Sequence, residues 1–343
     1  MKTNLPPLDR PASIPALQKL LGADALAPGE AALMEERIRR GLPWRLWLDR
    51  GLLVLGAALI VAGIGYFFAH NWQHITDDDK LGLSAGAVLA AFAGALWAGA
   101  DRFIGKLLLL AASLLVGVFL AVFGQVYQTG ADTYSLFLAW ALFILPWVIL
   151  GRFVPLWLCW LALLNLALGF YLPVDDYFFI NWGADWTFRS LTVSLAVLNL
   201  LALLIREGAV WAKVPWLDRM WSSWILLTAT LAPATVETTY EIVGTWDSHG
   251  MAGAAPLAVL VLAVLIAGAA TYFFRVRPSL PALALGALSA CWTLTVLAAR
   301  VIWSGNEGEF SGQFLFMGIL ILAIFGGGVF LLMAARRRMP STP

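Results

Sequence analysis

The sequence predicts an all-α polytopic membrane helix bundle of about ten transmembrane helices, with both termini cytoplasmic and a short N-terminal cytoplasmic helical hairpin. Three observations carry this. First, ten apolar runs recur, near residues 51–69, 81–100, 104–123, 134–150, 154–172, 189–205, 221–237, 252–274, 279–299 and 313–335. Each is about 17–23 residues long, enough at about 1.5 Å rise per residue to cross a hydrocarbon core of roughly 30 Å. Second, all but three of the 22 Lys and Arg residues fall on alternate sides of these runs, the exceptions being Lys80, Arg189 and Arg300. Acids show no such bias, as expected when basic residues set orientation. Third, many of the 17 Trp residues stand at run ends, Trp72, Trp147, Trp221 and Trp303 among them, where indole favours the headgroup region. A mean hydropathy of +0.82 with 13% charged residues excludes an ordinary soluble domain.

The chain divides into residues 1–48, a transmembrane domain over 49–336, and a basic cytoplasmic tail over 337–343. In the first segment Ile14, Leu17, Leu20 and Leu21 follow helical spacing up to Gly22. A second helix starts near Pro28 and Glu30 and closes on Arg39 and Arg40 before Gly41. Two short helices bury little surface alone, so this hairpin is expected to dock on the membrane face or on a partner. Leu42–Leu48, with Trp44 and Trp47, forms an interfacial lead-in. The largely polar stretch ahead of the first run argues against a signal peptide, and that run reads as an uncleaved anchor.

Short links between the runs favour antiparallel neighbours. Gly56, Gly63, Gly86, Gly94 and Gly326–Gly328 fit the close approach by which helices pack in lipid. Pro146, Pro233 and Pro256 mark candidate kinks. Ten spans divide into two sets of five, which an inverted repeat would use, although the halves show no convincing sequence similarity. Cys159 and Cys291 lie inside apolar runs and read as packing residues. A net charge of +1 without a long basic stretch gives no reason to expect nucleic acid.

Ionisable residues, the usual pointer to ion pathways, are almost absent from run centres; Glu237, at the outer end of the seventh run, comes closest. Asn165 and Asn199 are the deepest strongly polar side chains and are expected to bond to a neighbouring helix or line a cavity. The other polar residues gather in two outer runs, His70-Asn71-Trp72-Gln73-His74 with Asp77–Lys80, and Phe123 to Asp132. If the third span persists to Gln128, Gln125 and Gln128 share a face. Gly130 then ends that helix in a left-handed conformation, and Asp132 N-caps the next. Two readings stay open. The runs are an interfacial belt and caps, or they meet in one outward-facing polar pocket built from His70, Asn71, Trp72, Gln125, Tyr127, Gln128 and Asp132, since buried amides and phenols need partners. His70 and His74 have metal-ligand spacing, but no third well-placed His follows, and Asp77–Asp79 suit a helix N-terminus better, so no metal is expected. No nucleophile-and-base arrangement and no phosphate loop is present, so neither catalytic residues nor a cofactor are expected.

Phe68-Ala69-His70-Asn71-Trp72 with Lys80, and Phe123-Gly124-Gln125-Val126-Tyr127-Gln128-Thr129-Gly130-Ala131-Asp132 with Leu136 and Trp140, resemble the bacterial predicted inner-membrane proteins catalogued as domain of unknown function 2157. The N-terminal helical piece from Leu17 to Arg40 is similar as well, and the resemblance spans about residues 15–170. It implies a bacterial cytoplasmic-membrane location and, as partner, a second multispan membrane protein bearing a Gly-Asp-Tyr signature; it implies no activity. The function expected is non-enzymatic: envelope maintenance, or binding of a periplasmic or lipid ligand at the outer pocket. The alternative is a small-molecule or lipid transporter built from two inverted five-helix halves.

Overall fold

A computed structural model describes residues 72–99, 101–172, 186–244, 255–303 and 310–339, with Leu52, Leu55, Leu59, Tyr66 and His70 as isolated helical positions. The N-terminal hairpin and most of the first run lie outside the described residues. Residues 1–76 and 77–343 form two compact units. In the first, the Tyr66 ring stacks over His70 with centroids 6.1 Å apart, and Trp72–His74 form a 3-10 turn.

The described part of the second unit is helical throughout: α1 (Asp77–Ala98), α2 (Phe103–Val126), α3 (Thr133–Gly151), α4 (Val154–Tyr171), α5 (Trp186–Trp211), α6 (Met220–Gly244), α7 (Ala255–Arg275), α8 (Leu280–Trp303) and α9 (Phe310–Arg338). Among the described residues eight of these nine are long and apolar enough to cross a membrane. The exception is α6, the expected seventh span. It runs seven residues past the predicted Glu237, and its Thr and Glu content lowers its hydropathy, yet it carries twelve buried residues. α6 packs against α5, α7 and α8 together and so has protein where its neighbours have lipid. The Thr230, Thr238 and Thr239 hydroxyls donate to carbonyls one turn back, whereas the buried Thr235 hydroxyl finds no partner among the described residues.

Consecutive helices pair as the short links require. The links at 99–102, 152–153, 212–219 and 276–279 share one end with the C-terminus of α9, and this end holds most of the basic residues. The C-termini of α2, α4, α6 and α8 share the opposite end. Asp77, Asp78 and Asp79 occupy the first turn of α1, as expected for acids at a helix N-terminus. Pro146 and Pro233 lie inside α3 and α6, whereas Pro256 falls in the first turn of α7, where its missing N–H costs nothing.

Two apolar cores result. One joins α1–α4 around Leu109, Val116, Ile144 and Leu156; the other joins α4–α8 around Leu203, Leu226, Leu231 and Phe273. Small residues set the closest approaches. On α2, Ser113 and Gly117 form a notch for Trp140 of α3, whose indole donates to the Ser113 carbonyl at 2.6 Å. A Cβ at Gly117 would lie 2.4 Å from that ring, so glycine is required there.

Candidate functional site

The outer runs are placed in part. His70 is exposed, Trp72 is half-buried, and Asn71 lies outside the described residues. These belong to the first unit, and Gln125–Asp132 to the second. Within the second unit α2 stops at Val126 rather than Gln128. Gln128 itself takes the left-handed conformation (φ 44°) ahead of Gly130 (φ 60°), so Gln125 and Gln128 do not share a helix face. Tyr127 packs its ring on Phe123 at 4.6 Å between centroids, and both are exposed. Asp132 stands at the N-cap position of α3, but its side chain makes no capping bond; instead the Ser135 hydroxyl donates to the Asp132 carbonyl at 2.6 Å.

Most of the buried polar chemistry of the second unit lies elsewhere, on α4 to α8. Midway along, Asn165 of α4 and Asn199 of α5 form a reciprocal amide pair, with Asn199 Nδ2 2.6 Å from Asn165 Oδ1 and the return bond at 3.3 Å. Each amide also donates to the carbonyl one turn back, at 2.8 Å. The pair fulfils the expectation of a neighbouring-helix bond. Asn199→Leu is expected to destabilise the protein by about 1–3 kcal/mol because Asn165 is stranded, whereas the double Leu variant recovers most of that. Thermal unfolding of both in detergent checks this; equal losses in the two would contradict it.

Two ionic clusters terminate α5. At the end opposite the basic one, Arg189 forks to Glu237 (3.3 Å) and Glu241, carboxylates one turn apart on α6. The Thr192 hydroxyl donates to Glu237 at 2.5 Å, and buried Arg300 donates to the Ile242 carbonyl at 3.2 Å. At the basic end the Glu207 carboxylate accepts four bonds: from Arg206, Ser223 (2.8 Å), Tyr272 (2.7 Å) and Arg277 (3.2 Å). Arg206, fully buried, also donates to the Leu217 and Arg219 carbonyls at 2.9 and 2.8 Å, tying down the 212–219 link. Arg277 pairs onward with Asp218. Burial pulls its guanidinium down, but Glu207 and Asp218 outweigh that and hold it above its ordinary value, so it stays charged.

Arg189 and Arg206 are 17 residues apart on α5, about 26 Å at the helical rise. That spacing is close to the roughly 30 Å of a hydrocarbon core, so the two clusters can both lie near its faces while the span centres stay free of charge. Between them runs a groove walled by α5 and α7 and floored by α6. Its two lobes, about 330 and 310 Å³, meet at Leu200 and Leu265. Arg189, Glu237 and Glu241 close one end, and Glu207 and Tyr272 the other; the walls between are apolar, and Val193, Val197, Val261 and Val264 leave the groove open to the side.

Sequence reading noted Glu237 but missed this assembly, because its partners are 45–52 residues away in the chain. A usable signal was present: Arg189 and Glu237 are each an exception, one to the basic alternation and one to the charge-free runs, and an unexplained cation and anion at one membrane level suggest each other.

Residues 21–157 match the family described as predicted membrane protein (DUF2157). No curated protein and no solved structure matches the chain. The DUF2157 segment takes in α1–α3 and the first residues of α4. It contains the Gln125–Asp132 run and the Ser113–Gly117–Trp140 notch. Both ionic clusters and the groove lie beyond the DUF2157 segment.

Proposed function

We propose that this is a non-enzymatic protein of the bacterial inner membrane, with about ten spans and cytoplasmic termini, that binds an amphiphilic lipid or periplasmic ligand and works with a second multispan membrane protein in envelope maintenance. The observation that carries the binding role is the α5–α6–α7 groove, whose apolar walls join two ionic clusters about one bilayer apart. An extended hydrocarbon fits such walls, and a polar head fits beside Arg189, Glu237 and Glu241. This shifts the recognition site from His70–Asp132 to α5–α7. The two share one end of the second unit as far as Gln125–Asp132 is concerned, and that run then serves as the polar surface a ligand first meets. Transport by inverted halves draws less support, because α6 packs along α8 whereas α1 and α3, their counterparts in chain order, share no comparable contact.

Two experiments test this. Reporter fusions after residues 102, 152, 210, 276 and 338 are expected to report cytoplasm, and those after 78, 130, 180, 245 and 306 the opposite side, from the Lys and Arg asymmetry. Two adjacent fusions on one side would overturn the topology. For binding, purification in mild detergent followed by solvent extraction is expected to yield a co-purifying amphiphile and a partner protein. Val261→Trp, which fills the groove from α7, should reduce the amphiphile at unchanged yield of folded protein. Equal recovery from wild type and variant would refute the groove as the site.

A further inference from the structure

A second groove lies on the other side of α7, independent of the one above. Here α7 and α9 flank α8 without extended contact of their own, leaving a cavity of about 650 Å³, within the roughly 300–1,000 Å³ of ligand sites. Its floor is small: Gly286 and Ala290 on α8 face Gly327 and Gly328 on α9. A Cβ at Gly328 would stand 2.8 Å from Cys291 Sγ, so α8 and α9 touch there and the space opens toward α7.

One end of this groove is cationic. Arg275, the last residue of α7, lines it directly and is exposed. On α9 the lining residues Ile324, Gly328, Leu331 and Ala335 follow a helical stripe, and the next position on that stripe is Arg338. Arg336 and Arg337 belong to the same last turn, with Arg337 on the opposite face. Among the described residues no carboxylate lines the cavity; of the acids at this end, Glu207 and Asp218 are engaged with Arg206 and Arg277, and Asp101 stands in the 99–102 link. An apolar slot lined at one end by Arg275, with Arg338 the next position along the α9 stripe beyond Ala335, is complementary to a phosphate head carrying acyl chains.

We propose that the α7–α8–α9 groove is a binding site for an anionic glycerophospholipid, with an acyl chain along Gly286, Gly327 and Leu331 and the phosphate held between Arg275 and Arg338. The assignment needs these residues at a membrane boundary and holds whichever face that is. It also gives the terminal arginines a role beyond orienting the chain.

The full chain in mild detergent tests this by native mass spectrometry and thermal shift, with dioleoyl phosphatidylglycerol against dioleoyl phosphatidylcholine. Wild type is expected to bind phosphatidylglycerol selectively. Arg275→Gln with Arg338→Gln should remove that selectivity, at about fivefold in affinity per arginine near the headgroup. Arg337→Gln should retain it. Gly327→Trp, which blocks the slot with both arginines intact, should lose binding of the same lipid. Glycerol phosphate alone should produce no shift. Equal binding of the two lipids by wild type, retained selectivity in the double variant, an equal loss in Arg337→Gln, unchanged binding in Gly327→Trp, or a full shift with glycerol phosphate would each overturn the site.

Discussion

Glu207→Ala is expected to be among the most damaging single substitutions in this chain, lowering stability by about 3–5 kcal/mol, because it removes one partner from a buried ionic network. Glu207 takes bonds from Arg206, Ser223, Tyr272 and Arg277 and so joins α5, α6, α7 and the 276–279 link at one point. Without it the fully buried Arg206 keeps its charge and two carbonyl acceptors but no counter-ion. The size of the effect comes from that stranded charge rather than from the strength of the pair. Arg206→Leu combined with Glu207→Leu should therefore recover part of the loss, since Arg277 keeps Asp218. Denaturant or thermal unfolding in detergent measures both. A loss below about 1 kcal/mol in Glu207→Ala would mean that the cluster behaves as a solvated surface pair.

Gly105→Ala is the second large effect. A Cβ at this position would lie 2.1 Å from the Gly99 carbonyl oxygen and 3.0 Å from that of Ala95. Both atoms are backbone, so no side-chain rotation relieves the clash and the α1–α2 pair must separate. Overpacking of this kind costs about 1–3 kcal/mol, and backbone displacement puts this case at the upper end. Gly86→Ala is the matched control: among the described residues nothing stands within 4 Å of its added carbon, and alanine is the better helix former. The expected result is a lowered unfolding temperature for Gly105→Ala and an unchanged or raised one for Gly86→Ala. Equal behaviour would contradict the close packing of this hairpin.

How far the sequence reaches follows from what each element depends on. The spans outside α6 fall within a few residues of the apolar runs, apart from the longer C-terminus of α5, because lipid imposes a hydropathy that sequence displays directly. α6 departs from this rule: its environment is protein, so burial does not require apolarity, and Thr235, Glu237, Thr238 and Glu241 are buried despite their chemistry. The Asn165–Asn199 pair was legible, since an amide inside an apolar run must find a partner. The Arg189 and Glu207 clusters were not, because they depend on which helices adjoin across links of several residues. The end of α2 was misjudged because Gln128, rather than glycine, adopts the first left-handed turn.

We propose that the α5–α6–α7 groove holds an amphiphile between its ionic ends. The most direct measurement is an experimental structure of the full chain in a lipid nanodisc, bound by an antibody fragment to give it size. Elongated density is expected along Leu200 and Leu265, ending beside Arg189, Glu237 and Glu241, and is expected to be lost in Val261→Trp. A groove without such density, or one filled by another part of the same chain, would contradict it.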